Sequence, residues 1–203
     1  MGAGFLLAGC WYALGTTSKQ ARRDGMTATQ LVTADELYQM GSSAPYELIE
    51  GVLKGVSPSS SRSSEIGALI LILVGQYVIE HRLGHLTNAD GGYILNTNPH
   101  TVVSSDVGFH RGKPSADRGF YPLPPDLAIE VISPTDRKAD IAEKQELYAK
   151  AGVPLVWWVN PELSTVTVHR LGQEPEIVEA TGVLDGGDVL PGFMLALQAI
   201  FRD

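Results

Sequence analysis

The sequence predicts an α/β fold in which helices flank a mixed β-sheet. Short segments rich in Val and Ile, such as residues 126–132, have the length and composition of buried strands. A strand at residues 127–132, a helix at 139–151 and a strand at 153–159 follow one another, which is the order of a crossover unit. Together these observations predict a mixed sheet with helices packed against it.

The first two helices are predicted from their N-terminal residues. Thr33 is a good N-cap and Glu36, three residues later, is its capping-box partner, so a short helix begins there and ends near Gly41. A loop rich in Pro and Ser then leads to a long helix, which Ser63 or Ser64 caps. Apolar residues recur along this second helix at helical spacing, so one of its faces packs on a core.

Alternating and continuous apolar segments predict the remaining strands. Residues 46–56 alternate around Gly51, which predicts a strand, a turn and a second strand. A short C-terminal helix ends the chain. Further strands are predicted at residues 92–96, 101–109, 165–170 and 176–180, the last of them at an edge.

Length and composition fit one domain of ordinary size. The chain has 203 residues, of which 44% are hydrophobic and 19% charged, as in globular proteins. We expect a single domain over residues 26–203 and a non-structural N-terminal extension over residues 1–25, because Met26 offers an independent start. The apolar segment at residues 4–14 is too short to span a bilayer, so no membrane association is expected.

Charge and cysteine content restrict the function further. The formal net charge of -8 disfavours a protein that coats nucleic acid indiscriminately, since backbone phosphates attract Lys and Arg. A local basic groove remains compatible with this charge. The only cysteine, Cys10, permits no internal disulfide. Nothing therefore requires an oxidising compartment, and a cytoplasmic location is expected.

Two acidic residues lie within apolar segments, where a charge is costly to bury. Asp106 lies in the segment 101–109, and Glu130 is central to the segment 126–132. An acid in a buried strand is expensive to desolvate unless a cation meets it. If the two carboxylates converge to about 4 Å, at an effective dielectric constant of about 20, they repel by about 4 kcal/mol. A bound divalent ion relieves that repulsion, and oxygen ligands favour Mg²⁺ or Mn²⁺.

A third polar group comes from the helix predicted at residues 139–151. Asp140, Lys144 and Tyr148 are successive i, i+4 neighbours and form one polar stripe. A lysine beside metal-bound water can orient the nucleophile or stabilise the charge that grows on a phosphate. An alternative stays open, in which Asp140 and Lys144 form only a surface ion pair. Asp126 is expected to cap the start of its strand rather than to bind a metal.

Six short motifs occur in order between residues 33 and 201. They are residues 46–51 (Tyr-Glu-Leu-Ile-Glu-Gly), 57–58 (Ser-Pro), 105–107 (Ser-Asp-Val), 125–134 (Pro-Asp-Leu-Ala-Ile-Glu-Val-Ile-Ser-Pro), 140–148 (Asp-Ile-Ala-Glu-Lys-Gln-Glu-Leu-Tyr) and 152–154 (Gly-Val-Pro). In this order and spacing they resemble a large bacterial family described as putative restriction endonucleases, formerly a domain of unknown function. That family belongs to the PD-(D/E)XK nuclease superfamily.

The resemblance implies a restriction-endonuclease-like core and a role for four residues. Asp106 corresponds to the first metal-binding acid and Glu130 to the second. The superfamily's usual lysine, two residues after the second acid, would fall at Ile132, and in this family Lys144 on the following helix takes its place. Glu47, in the first motif, corresponds to an additional metal or water ligand, a role for which Glu50 competes.

Two departures from the family pattern concern the site. Ser105 stands where the family usually has a proline before the aspartate. At the start of the long helix the family often has a histidine, and this chain has Ser63 or a neighbouring serine. If that histidine binds substrate or positions water, its loss reduces or abolishes activity while the fold survives.

Three hypotheses of different classes follow. The favoured one is a Mg²⁺-dependent or Mn²⁺-dependent endodeoxyribonuclease, a hydrolase acting on ester bonds of DNA. In it Asp106, Glu130 and Glu47 hold the metal and Lys144 polarises the attacking water. The second is a catalytically impaired nuclease-fold protein that binds nucleic acid or a protein partner without cutting. The third is a structural domain whose acids are hydrogen-bonded core groups. The resemblance also implies a homodimer, since many nucleases of this fold act as dimers.

Overall fold

The computed structural model describes residues 31–41, 45–112 and 118–202. The predicted N-terminal extension, residues 1–25, lies outside these described residues. Within them, three α-helices and two main β-sheets form the α/β fold that the sequence predicts. The helices are α1 (Ala34–Met40), α2 (Ser61–His81) and α3 (Lys138–Lys150).

The described strands form a four-stranded, a six-stranded and a two-stranded sheet, with the orders β2-β1-β5-β4, β10-β9-β8-β7-β6-β3 and β11-β12. A single turn of 3-10 helix follows the last strand. The strands are β1 (Tyr46–Ile49), β2 (Val52–Gly55), β3 (His85–Asn88), β4 (Gly92–Thr97), β5 (His100–Ser104), β6 (Val107–His110), β7 (Leu127–Val131), β8 (Leu155–Asn160), β9 (Thr165–Arg170), β10 (Glu176–Val178), β11 (Val183–Asp185) and β12 (Met194–Ala196).

The six-stranded sheet is mixed because of the crossover through α3. β7 and β8 are parallel, with Glu130 opposite Trp158, whereas the other strand pairs of this sheet are antiparallel. A parallel pair needs a long connection, and α3 supplies it. The predicted strand, helix and strand are thus confirmed as β7, α3 and β8.

The caps of the first two helices differ in how well the sequence predicts them. The capping box of α1 is present, since the Thr33 hydroxyl accepts from the Glu36 N–H and the Glu36 carboxylate accepts from the Thr33 N–H. The second helix begins earlier than expected. Its N-cap is Ser60, whose hydroxyl accepts from the Ser63 N–H at 3.2 Å.

Helix α2 covers one face of the six-stranded sheet. Its residues Ile66, Ile70 and Val74 are fully buried in a core that includes Ile129 of β7. Among the described residues α2 is the one helix long and apolar enough to cross a membrane, a test that core helices also pass. The opposite face of β7 packs against α3, where Ala128 lies in a second cluster of buried residues.

The segment predicted as one strand over residues 101–109 is two strands in two different sheets. β5 ends at Ser104 in the four-stranded sheet, and β6 begins at Val107 in the six-stranded sheet. The chain leaves the first sheet at Ser105 and Asp106, where the Asp106 carboxylate accepts a hydrogen bond from the N–H of Val131. Asp106 therefore lies at the junction of the two sheets rather than within a strand.

Candidate active site

A cavity of about 680 Å³ opens where the two main sheets meet. The N-terminal half of α3, the turn before α2 and the end of β7 complete its wall. All four residues that the sequence predicts for the site line this cavity, although they come from four separate parts of the chain. They are Glu47 of β1, Asp106 of the sheet junction, Glu130 of β7 and Lys144 of α3.

Lys144 connects the acids of the two sheets. Its Nζ atom lies 3.0 Å from Glu47 Oε1 and 2.9 Å from Glu130 Oε1. The same atom donates a hydrogen bond of 2.7 Å to the carbonyl oxygen of Ser104. An ammonium group has three N–H donors, so these three acceptors match its full capacity.

The carboxylates of Glu47, Asp106 and Glu130 are each held through one of their two oxygen atoms. Glu47 Oε1 accepts from the N–H of Ser104 at 3.0 Å as well as from Lys144. Asp106 Oδ2 accepts from a backbone N–H of β7 at 2.7 Å. Glu130 Oε1 accepts from both the Lys144 ammonium and the Tyr148 hydroxyl. In the described part of the chain, the second oxygen of each of these three carboxylates accepts no hydrogen bond.

Burial and the charges of neighbouring side chains shift the pKa values of Asp106, Glu130 and Lys144. Burial raises the pKa of Glu130 to about 7, the nearby Lys144 partly offsets the increase, and Asp106 adds to it. Burial likewise raises the pKa of Asp106 above its ordinary value. For Lys144, burial lowers the pKa, but the carboxylates of Glu130 and Glu47 outweigh this effect and hold it above the ordinary value. The ammonium therefore stays charged at any physiological pH.

A second ion cluster lies on the rim of the cavity. Lys54 of β2 lies 2.8 Å from Asp140 and 2.5 Å from Glu143, both on α3. Arg137 donates two hydrogen bonds to Asp140, which together with Lys54 lower the pKa of that acid to about 2. Asp140 thus pairs with Lys54 and Arg137, and the alternative that Lys144 forms only a surface ion pair with Asp140 is wrong.

Two other acids that the sequence offered lie away from the cavity wall. Asp126 accepts from the N–H of Arg111 at 2.8 Å, at the start of β7, as a capping role predicts. Glu50 lies in the turn between β1 and β2, where its backbone N–H donates to Thr101. Of Glu47 and Glu50, only Glu47 lines the cavity.

Ser63 is one of the serines at the start of α2, where the resemblance implies a histidine, and its side chain has a structural contact here. Its buried hydroxyl donates to the carbonyl oxygen of Ile132 at 3.1 Å and also contacts the Ser60 hydroxyl at 2.8 Å. It is absent from the described lining of the cavity, whereas Ser59 is part of that lining. At this end of α2, Ser59 rather than Ser63 therefore faces the cavity.

The hydrogen bond between Tyr148 and Glu130 is the contact that the sequence did not predict. The sequence places it in a polar stripe with Lys144, but its hydroxyl donates to Glu130 Oε1 at 2.5 Å, and the residue is 1% exposed. The i, i+4 spacing from Lys144 was the only local signal of this contact. The partner on β7 depends on how α3 packs against the sheet.

The chemistry of the acids fits a hard divalent ion. Carboxylate oxygens are the ligands that Mg²⁺ and Mn²⁺ prefer. In the described residues, no group of three or more His, Cys, Asp or Glu side chains is already arranged around a metal position. The ammonium of Lys144 lies between Glu47 and Glu130 instead. The acids thus supply suitable oxygen atoms, and in this arrangement an ammonium group balances their charge.

Known proteins with the same fold and with similar sequence motifs support the fold described above. The chain is similar to a solved structure from Anabaena variabilis ATCC 29413, described as a putative nuclease belonging to DUF820. The identity is 20% and the TM-score 0.72, over 84% of this chain and 97% of that chain. No protein in the curated set matches. The sequence model of the family Uma2, described as putative restriction endonuclease, matches residues 34–198. The resemblance predicted from the six motifs is confirmed, and the chain belongs to the Uma2 putative restriction endonuclease family.

Proposed function

We propose that this protein is a Mg²⁺-dependent or Mn²⁺-dependent endodeoxyribonuclease that hydrolyses phosphodiester bonds of DNA. The observation that carries the proposal is the cavity at the sheet junction, which Asp106 lines together with Glu47 and Glu130, the two acids that contact the ammonium of Lys144. Membership of a family of nuclease fold supports the same chemistry. A cytoplasmic location and a homodimer are further parts of this proposal.

Asp106 and Glu130 would hold the metal, and Glu47 would supply a further oxygen to it or to water. When bound, a divalent ion lowers the pKa of a water ligand and neutralises charge on the phosphate. Each of the three carboxylates retains one oxygen with no hydrogen bond from the described residues, so each can accept a ligand. The oxygens already held by protein donors fix the orientation of the carboxylates.

Lys144 has two tasks in this proposal. With all three acceptors in place, its ammonium draws Glu47 and Glu130 together across the sheet junction. To contact the attacking water or a phosphate oxygen, it must release one of these acceptors. A divalent cation held by Glu47 and Glu130 would weaken their attraction for the ammonium, and one N–H of Lys144 would then be available to the substrate.

The second candidate is a nuclease-fold protein that binds nucleic acid or a protein partner without cutting. Two observations weigh against an enzyme that cuts DNA, and they favour this candidate most in its protein-binding form. Lys54 and Arg137, on the rim of the cavity, are both paired with acids rather than free to meet phosphate. The whole chain is acidic, with a formal net charge of -8. A protein of this charge relies on few basic contacts to hold DNA.

A cleavage assay separates the two candidates. Supercoiled plasmid is incubated with the parent protein in Mg²⁺, in Mn²⁺ and in EDTA, beside the isosteric variants Asp106→Asn and Glu130→Gln. Asp126→Asn is the matched control, because Asp126 is an acid close in sequence to Glu130 whose hydrogen bond lies away from the cavity. We expect cleavage by the parent and the control in either metal, and at least about a hundredfold loss in the two site variants.

Equal cutting by all four proteins assigns the activity to a contaminant and contradicts the proposal. Retarded migration of DNA without cutting, in a metal-dependent or metal-independent way, favours the second candidate.

A further inference from the structure

We propose that Tyr148 is a positioning residue for the cavity: its hydroxyl fixes one oxygen of Glu130 and so leaves the other oxygen available to a divalent cation. This inference rests on the proposed function, because it assigns to Tyr148 a part in binding the same metal. It adds a residue that acts through Glu130 rather than on the substrate.

The contact between the two side chains is short and shielded from water. The Tyr148 hydroxyl donates to Glu130 Oε1 at 2.5 Å, and the two residues are 1% and 9% exposed. The same oxygen also accepts from Lys144 at 2.9 Å. Oε1 therefore has two donors, whereas Oε2 has none among the described residues. This division between the oxygens orients the carboxylate.

Packing of the aromatic ring explains why residue 148 is large and apolar, but it does not explain the hydroxyl group of Tyr148. It is the one buried residue of α3, and it packs in a cluster with Val153, Val156 and Trp158. A phenylalanine would fill the same volume and avoid burying a hydroxyl. The hydroxyl is therefore separable from the packing, and among the described residues its hydrogen-bond partner is Glu130.

The two donors to Glu130 respond differently to an incoming cation. A divalent ion repels the ammonium of Lys144, which weakens that contact when metal binds. The Tyr148 hydroxyl is a neutral donor, so a cation does not repel it in this way. Tyr148 therefore still donates its hydrogen bond to Oε1 when the contact between Lys144 and Oε1 weakens. Donors behind a metal ligand that fix its orientation strengthen metal binding.

The test compares Tyr148→Phe with the parent and with Tyr93→Phe. Tyr93 is a matched control, because it is also 1% exposed, its hydroxyl contacts Thr87 at 3.0 Å, and neither of these residues lines the cavity. Binding of Mn²⁺ is measured by calorimetry without DNA, and thermal unfolding is followed by circular dichroism. We expect Mn²⁺ to bind Tyr148→Phe about ten- to a hundredfold more weakly than the parent, and Tyr93→Phe as tightly as the parent.

A second measurement separates positioning from loss of structure. In the cleavage assay, the Mg²⁺ concentration for half-maximal rate should rise in Tyr148→Phe, while the rate at saturating Mg²⁺ stays within about threefold of the parent. Equal Mn²⁺ affinity of Tyr148→Phe and parent overturns the inference but leaves the proposed function intact. The inference is also overturned if Tyr148→Phe and Tyr93→Phe lose Mn²⁺ affinity equally, or if Tyr148→Phe fails to fold, and in both cases the proposed function stands. A parent protein that binds no Mn²⁺ overturns both.

Discussion

The Nζ atom of Lys144 lies 2.9 Å from Oε1 of Glu130, and this contact joins α3 to the centre of the six-stranded sheet. Glu47 lies 3.0 Å from the same Nζ atom, on a strand of the other main sheet. One ammonium group therefore balances acids from both sheets. Stability, protonation and ligand binding at the cavity are linked through it.

Removing the ammonium should destabilise the protein more strongly at high pH than at low pH. Lys144→Met leaves Glu47 and Glu130 without their counter-charge, and breaking a buried pair from one side costs on the order of 3 kcal/mol. The loss should be smaller at pH 5, where Glu130 takes up a proton. Urea unfolding at pH 5 and pH 8 measures both values.

Lys150→Met is the control for this experiment. Lys150 lies on the same helix, and its pair with Glu146 is solvent-exposed, so its loss should cost less than about 1 kcal/mol at either pH. Similar effects of the two substitutions would contradict the central role of Lys144. Added Mn²⁺ should raise the stability of Lys144→Met more than that of Lys150→Met, because only in Lys144→Met does the ion replace a missing counter-charge.

Glu130 should give the protein a pH dependence between about pH 4.5 and 7. Its folded-state pKa is about 7, above the ordinary value of 4.5, so the folded protein binds the proton more tightly than the unfolded chain does. Its contribution to stability is therefore present at low pH and is lost as the pH rises through 7. The free energy of unfolding of the parent should fall relative to that of Glu130→Gln between pH 5 and pH 8.

The same protonation should control metal binding. A protonated Glu130 is a poor ligand, so the Mn²⁺ affinity of the parent should rise from pH 5.5 and level off above about pH 7. Calorimetric titrations at several pH values measure this profile. An affinity that is constant over the range would contradict a role for Glu130 as a ligand.

Two buried serines should respond in opposite directions to replacement by alanine. The Ser105 hydroxyl is buried without a hydrogen-bond partner, so Ser105→Ala should leave stability unchanged or raise it by up to about 1 kcal/mol. The Ser63 hydroxyl donates to Ile132, so Ser63→Ala should lower stability by about 1 kcal/mol. Chemical denaturation of both variants checks the order, and the reverse order would refute this assignment.

The ion cluster at the rim should contribute little to stability. Lys54 bridges β2 to Asp140 and Glu143 of α3 at the water-exposed edge of the cavity. Lys54→Met should therefore cost about 1 kcal/mol or less, and the cost should shrink further in 0.5 M salt. Unfolding in low and high salt measures the difference. A cost above that of Lys144→Met would place the stabilising charge at the rim instead.

Local patterns in the sequence were sufficient for most individual elements. The alternation at residues 165–170 matches β9, and the capping box at Thr33 and Glu36 matches the start of α1. The period of two along β7 also places Ala128 and Ile129 on opposite faces, as their different core clusters show. Caps and periodicities depend on neighbours within a few residues, so they can be read from one segment at a time.

The elements that escaped prediction depend on contacts between distant segments. Strand β3 has no counterpart among the predicted strands: the left-handed conformation of Arg82 ends α2, and His85 begins β3 by pairing with His110. The apolar segment at 101–109 has no local break, yet its two halves pair with different sheets. Pairing partners, rather than composition, divide it.

The sequence by itself determined the α/β class, the family and the four polar residues Glu47, Asp106, Glu130 and Lys144, whose catalytic roles stay predictions. Only the tertiary structure decided that Lys144 bonds to Glu47 and Glu130 rather than to Asp140, and that Tyr148 holds Glu130. The physical reason is the separation along the chain between the residues that interact. Side-chain periodicity is a property of a few consecutive residues, whereas a hydrogen bond between α3 and two sheets forms only after packing has brought those elements together.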